Sequence, residues 1–197
     1  VFALPFALLA TFLAAAHAGR WPTVGEFVLI VLCMVLARTF AMAMNRWADR
    51  YIDAANPRTA KRAIPAGRVS ASFVLLAATV CAGAFVASAA GFLLLQGNVW
   101  PLLLSPLVLV YLAIYAFTKR FTWFCHLYLG SALAVSPLAA TIAIEPAYLA
   151  QPPVWLLAVM VTCWVAGFDI IYALQDVAVD RAAGLFSMPA RLGENTA

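Results

Sequence analysis

Apolar residues run along this chain in long stretches, and polar ones gather in the short gaps between them. Six stretches approach or exceed the roughly 20 residues that cross a bilayer as a helix. They lie at about 2–19, 25–46, 70–95, 99–118, 121–144 and 152–176. The first is short enough to resemble a signal peptide. It lacks a basic leader, and no clean cleavage site precedes a soluble domain, so it reads as a shortened first helix. The pattern predicts an all-α, multi-pass transmembrane helical bundle, with residues 1–197 forming one membrane domain. The chain starts at Val1 and stops at Ala197, so it is expected to be a piece of a longer protein, truncated at both ends.

Composition agrees with that pattern. The chain is 66% hydrophobic and 10% charged, with mean hydropathy +0.98, whereas about a quarter of a soluble protein's residues are charged. Cys33, Cys81, Cys125 and Cys163 sit inside or beside apolar stretches without CxxC spacing, as small buried hydrophobes do. Basic residues are unevenly spread. Arg46, Arg50, Arg58, Lys61, Arg62 and Arg68 follow the second stretch, Lys119 and Arg120 the fourth, and Arg181 and Arg191 the sixth. The other connections contribute Arg20 alone. Basic loops stay cytoplasmic, so each even-numbered span is expected to end in the cytoplasm. The net charge of +4 reflects this bias and gives no reason to expect nucleic-acid binding.

The few acidic residues carry the chemistry. Four of eight fall into two DxxxD pairs, Asp49 with Asp53 and Asp176 with Asp180, each at the end of an even-numbered span. Residues at i and i+4 share one helix face. Arg38, Met42, Asn45, Asp49 and Asp53 form one such stripe, and Asp169, Tyr172, Asp176 and Asp180 form another. Hard oxygen donors suit Mg²⁺, which takes one or two carboxylates and completes its shell with phosphate and water. Asn56-Pro57-Arg58-Thr59 ends the first helix, and Arg58, Lys61 and Arg62 then cluster beside the carboxylates, as a metal-bridged polyanion would require. A plainer alternative pairs the first aspartates with Arg46 and Arg50 on a solvated helix end. Asp169 and Arg38 lie at membrane depth, where charges are costly unless they face a cavity or partner. Tyr115 and Lys119 end the fourth span at i, i+4, where Lys119 could cap a pyrophosphate and Tyr115 add a hydroxyl. His17 and His126 have no carboxylate or cysteine partner nearby in sequence and read as structural.

Together these residues resemble the UbiA superfamily of intramembrane aromatic prenyltransferases. The signature is Asn45-Arg46…Asp49…Asp53…Asn56-Pro57-Arg58-Thr59…Arg62, followed by Asp169…Tyr172…Asp176…Asp180…Gly184. ALPFALLA at the start and SMPARLG near the end look like the family too. The resemblance spans essentially the whole chain and looks closest to bacterial 4-hydroxybenzoate polyprenyltransferases of quinone biosynthesis. It implies a nine-helix bundle around a central cavity, of which this chain would supply helices one to six, and a bacterial inner-membrane enzyme with its mouth in the cytoplasm. It implies that Asn45, Asp49 and Asp53 bind one Mg²⁺ and Asp176 and Asp180 a second. Both ions would hold the pyrophosphate of a polyprenyl diphosphate, making the four aspartates catalytic. Arg38, Arg46, Asn56, Arg58, Arg62, Tyr115, Lys119, Asp169 and Tyr172 are then candidates for binding diphosphate or aromatic acceptor. 4-Hydroxybenzoate leads as acceptor, with a dihydroxynaphthoate for menaquinone as the alternative. CDP-alcohol phosphotransferases also use DxxxD, but their DGxxAR motif does not occur here. A secondary transporter with intramembrane ion-binding carboxylates is the rival of another class.

Overall fold

The computed structural model describes residues 2–193. Its α-helices are α1 (Leu4–His17), α2 (Val24–Ala48), α3 (Arg50–Ala55), α4 (Ala71–Gln96), α5 (Trp100–Thr118), α6 (Cys125–Ile144), α7 (Pro152–Ala173), α8 (Val177–Ala182) and α9 (Met188–Leu192). Short 3-10 turns occupy Pro146–Ala150 and Leu174–Asp176, and no strand occurs among the described residues. The all-α bundle is as expected. Five of the six apolar stretches become helices long and apolar enough to cross a membrane. The first does not: α1 has 14 residues, about 21 Å at 1.5 Å per residue, short of the hydrocarbon core.

Local chemistry sets the helix ends. The Thr23 hydroxyl accepts the Glu26 amide (3.2 Å) while the Glu26 carboxylate accepts the Thr23 amide (2.7 Å). This capping box starts α2. Ser70 caps α4 through the Phe73 amide (3.1 Å). Gly97, at φ 71°, turns the chain left-handed after α4, a conformation without cost only for glycine. Pro101 and Pro152 sit in the first turns of α5 and α7, where no intrahelical donor is lost. The fifth span begins at Cys125 rather than near Phe121, because residues 119–124 make the turn that joins α5 to α6.

Small residues let the helices approach closely, as they do where lipid offers no apolar contrast. Ala7, Ala10, Ala14 and Ala15 of α1 pack with Ile30, Phe92, Ala140, Ala143 and Ile144. Ala134, Ala158, Val161 and Val165 join α6 to α7. Gly130 sets that approach: a Cβ there would lie 2.2 Å from the Thr162 carbonyl oxygen. Large apolar side chains such as Leu94, Leu107 and Leu156 point outward, where a bilayer accepts them. At one end of the bundle, Asn98 Nδ2 donates to the Ile142 and Ala143 carbonyls (2.7 and 3.1 Å). Arg20 grips the Glu26 carboxylate there with two bonds of 2.8 and 2.7 Å. Glu26, 2% exposed, is thereby satisfied, and the bond holds Arg20 above its ordinary pKa. The aspartate pairs occupy the opposite end.

Candidate active site

Each aspartate pair begins at a break in its helix. α2 ends at Ala48, and Asp49 (φ −88°, ψ 3°) joins it to the six-residue α3. Asp176 (φ −113°, ψ 5°) closes the 3-10 turn after α7 and leads into the six-residue α8. Both residues lie in the sparsely populated bridge region. The Asp53 amide still donates to the Asp49 carbonyl (2.8 Å), so i, i+4 proximity survives. The continuous stripes expected from the spacing become two long helices that each break at the first aspartate.

The two breaks face one polar cavity of about 220 Å³. From the first constellation it is lined by Asn45, Arg46, Asp49, Asp53, Asn56, Arg58 and Arg62. Tyr115 and Lys119 enter from α5 and its end; Asp169, Tyr172, Asp176 and Asp180 come from α7, the turn and α8. Thirteen of the fourteen candidate residues therefore meet. The exception is Arg38. It lines a second, largely apolar cavity of about 210 Å³ with Phe85, Phe92, Val108 and Leu112, and is the only charged residue there among the described residues. Position along α2 explains the split: Arg38 lies seven residues before Asn45, about 10 Å at 1.5 Å per residue, and Asn45 already lines the polar cavity. The two cavities stack along shared helices: α2 gives Arg38 to one and Asn45 to the other, and α5 gives Leu112 and Tyr115.

Cations from other elements neutralise the carboxylates. Lys119 Nζ donates to Asp49 Oδ2 (2.6 Å), and Arg120 donates to Asp49 Oδ1 (3.3 Å) and the Ala48 carbonyl (2.7 Å). Arg62 donates to Asp53 Oδ1 (2.6 Å), and Arg46 lies 3.8 Å from Asp53 Oδ2. Arg58 forks onto both oxygens of Asp176, with its Nε at 2.9 Å from Oδ1, and also donates to the Tyr172 hydroxyl (3.0 Å). Asn56 Nδ2 adds a bond to Asp176 Oδ1 (2.9 Å). The hydrogen bond to Asp176 holds the Arg58 guanidinium above its ordinary pKa. The plainer expectation of pairing with Arg46 and Arg50 holds for Arg46, which is ion-paired with Asp53, and is corrected for Arg50. Arg50 donates to the Trp47 carbonyl (2.6 Å) and stacks over Trp47 and Tyr51, away from the aspartates.

Two residues were not legible as site residues. Arg120 read only as a basic loop residue, yet it touches Asp49. His126 read as structural without a partner, and this is corrected: its Nδ1 lies 2.7 Å from Asp169 Oδ2, 43 positions along the chain. No local spacing could have announced that pair. His17 keeps its structural reading and packs against the Tyr148 ring at 5.2 Å.

The donor set suits a hard divalent ion, although no three His, Cys, Asp or Glu side chains among the described residues gather tightly enough to cage one. That is the arrangement expected of Mg²⁺, whose shell is completed by phosphate and water. Asp53 Oδ2 supports the fit. It is buried without a hydrogen-bond partner among the described residues, a costly state that a bound cation would relieve.

A bundle of apolar spanning helices with two aspartate pairs and several Arg and Lys side chains around one polar cavity defines a membrane-embedded protein with a charged site at one end of the bundle. The chain belongs to the UbiA prenyltransferase family, whose model matches residues 3–197. It is 33% identical over 193 residues to 4-hydroxybenzoate octaprenyltransferase of Marinomonas sp. (strain MWYL1), covering 95% of this chain and 63% of that protein. Against the protein of the same name from Nitrosomonas eutropha (strain DSM 101675 / C91 / Nm57), identity is 36%, over 80% of this chain and 53% of the relative. The chain thus spans a little over half the length of such relatives. The solved apo structure of a UbiA homolog from Aeropyrum pernix K1 superposes with TM-score 0.88 at 36% identity, over 99% of this chain and 70% of that one. A digeranylgeranylglyceryl phosphate synthase structure, at TM-score 0.74 and 14% identity, shares the fold.

Proposed function

We propose that the full-length protein transfers a polyprenyl group from a polyprenyl diphosphate to an aromatic acceptor, with 4-hydroxybenzoate first and a dihydroxynaphthoate second. One observation carries the reading: two aspartate pairs and the cations Arg46, Arg58, Arg62 and Lys119 converge on one polar cavity, which stacks on an apolar cavity lined by a single arginine among the described residues. Homologues named 4-hydroxybenzoate octaprenyltransferase support the acceptor. Residues 1–197 belong to one membrane domain in this reading. The basic loops support a mouth on the cytoplasmic side, and in this reading the membrane is a bacterial inner membrane.

In this mechanism Asn45, Asp49 and Asp53 would hold one Mg²⁺, and Asp176 and Asp180 a second, and such ions would supply charge neutralisation for the departing diphosphate. Arg58 and Arg62 give up part of their grip on Asp176 and Asp53 and turn forked donors to the diphosphate oxygens, and Lys119 adds a point charge. The allylic C–O bond breaks with its electron pair leaving on the diphosphate, the electron-rich ring attacks the allylic carbon, and the attacked ring carbon then loses its proton to the released diphosphate, which restores aromaticity. Arg38 faces the carboxylate of an aromatic acid in the apolar cavity, while Asp169 and Tyr172 orient the acceptor from the polar side. The surrounding helices exclude water, which would otherwise capture the allylic cation.

The test offers membranes containing the full-length protein several phenolic acids with polyprenyl diphosphates, with Mg²⁺ or with a chelator, and identifies products by mass spectrometry. A prenylated phenolic acid formed only with Mg²⁺ is expected. Ion-coupled transport of a solute without prenyl transfer would overturn the reading in favour of a transporter.

A further inference from the structure

His126 is buried, with a side chain 4% exposed, beside the 28%-exposed Asp169 that lines the polar cavity. Its two ring nitrogens have different partners. Nδ1 lies 2.7 Å from Asp169 Oδ2, and Nε2 lies 3.1 Å from the Met188 backbone nitrogen. A backbone N–H can only donate, so Nε2 must present its lone pair. The imidazole is then neutral with its single proton on Nδ1, and that proton is donated to Asp169. A doubly protonated ring would lose the Met188 bond. The arrangement therefore fixes Asp169 Oδ2 as a hydrogen-bond acceptor and holds the carboxyl group in one rotamer.

Met188 belongs to a segment that is itself tied to the site. The Leu185 amide donates to the Asp180 carbonyl (2.8 Å), and the Phe186 amide donates to the Lys119 carbonyl (2.8 Å). The Cys125 thiol, next to His126, faces the Phe186 carbonyl at 3.8 Å. Leu185 and Ser187 are buried. The segment after the second aspartate pair thus folds back over the α5–α6 turn, and His126 is its link to Asp169.

We propose that His126 is a positioning residue of prenyl transfer. It fastens Asp169 to the Leu185–Met188 segment and aims its carboxylate into the polar cavity, where it accepts the hydrogen bond of the aromatic acceptor's hydroxyl. The proposal rests on the prenyl-transfer reading above. It assigns His126 to recognition of the acceptor rather than of the diphosphate, because its partner Asp169 lies about two turns before the Asp176–Asp180 pair and, among the described residues, contacts no Lys or Arg side chain.

Two isosteric variants separate positioning from packing. In His126→Asn the amide nitrogen takes the place of Nδ1 and still donates to Asp169, while the Met188 bond is lost. In His126→Gln the longer amide reaches the Nε2 position and can accept from Met188, while the donor to Asp169 is lost. Steady-state kinetics of the full-length enzyme, varying each substrate in turn, reads the difference. His126→Gln and His126→Leu are expected to raise KM for the phenolic acid roughly tenfold, the scale of one charge-assisted hydrogen bond. KM for the prenyl diphosphate should stay within about twofold in both. His126→Asn should keep most of the wild-type acceptor KM. In an Asp169→Asn background, His126→Gln should add less than about twofold. Wild-type acceptor KM in His126→Gln, or Gln rescuing while Asn does not, would overturn the proposal and leave His126 a clamp for the segment alone. Equal loss toward both substrates, with a fall in thermal stability, would also overturn it. A wild-type enzyme that forms no prenylated product defeats the underlying reading instead, so the two failures are distinguishable.

Discussion

Replacing Gly130 with alanine tests how the bundle holds its site. A Cβ at that position would meet the Thr162 carbonyl oxygen at 2.2 Å, its carbon at 3.0 Å and its Cα at 3.1 Å. The first distance is about 0.8 Å short of the 3.0 Å below which real Cβ contacts essentially never fall. The obstacle is backbone inside a packed helix, so it cannot rotate away. α6 and α7 must separate by most of an ångström or lose their register. Overpacking of this kind costs about 1–3 kcal/mol, against which alanine regains at most about 1 kcal/mol of helix propensity. A net loss of about 1–2 kcal/mol is expected. The damage has a direction: Gly130 sits one turn from His126 on α6, and Thr162 two turns from Asp169 on α7. Prying these helices apart lengthens the 2.7 Å His126–Asp169 bond. Gly130→Ala should therefore lower thermal stability in detergent and raise KM for the aromatic acceptor more than for the prenyl diphosphate. Gly167→Ala is the control, because nothing lies within 4 Å of its Cβ, and it should be neutral or slightly stabilising. Wild-type stability and kinetics in Gly130→Ala would refute the close α6–α7 approach.

Three further outcomes are expected. Asp49→Ala or Asp176→Ala should abolish transfer while membrane insertion, read by protease accessibility of the loops, stays intact; near-normal turnover in either removes the two-metal proposal. Arg58→Lys keeps the charge but loses the fork onto Asp176 and the bond to Tyr172, so KM for the prenyl diphosphate should rise roughly tenfold. An unchanged KM would exclude Arg58 from diphosphate binding. Arg38→Leu removes the only charge among the described residues lining the apolar cavity, where an unpaired charge is costly. It should sharply raise KM for the aromatic acid while KM for the prenyl diphosphate stays within about twofold, and an unchanged acceptor KM would exclude Arg38 from acceptor binding.

The sequence by itself determined the class of fold, because in lipid every backbone group must be satisfied within its own segment, and only helices written as long apolar runs can do that. α2 and α4 therefore fall within two residues of their expected limits. Sequence also determined most of the site: costly polar residues at the ends of apolar runs have few reasons to be there, and thirteen of the fourteen named line one cavity. Tertiary structure decided the rest. Arg38, about 10 Å before Asn45 along α2, opens on a different cavity from the aspartates, although spacing put it on their stripe. Packing of the α5–α6 turn against α2 brought Lys119 and Arg120 to Asp49, some 70 positions away. The approach of α6 to α7 across Gly130 gave His126 its carboxylate. Periodicity places a residue only on a face of its own helix. Which foreign side chain it meets depends on how closely helices approach and where they bend, and that is set by packing.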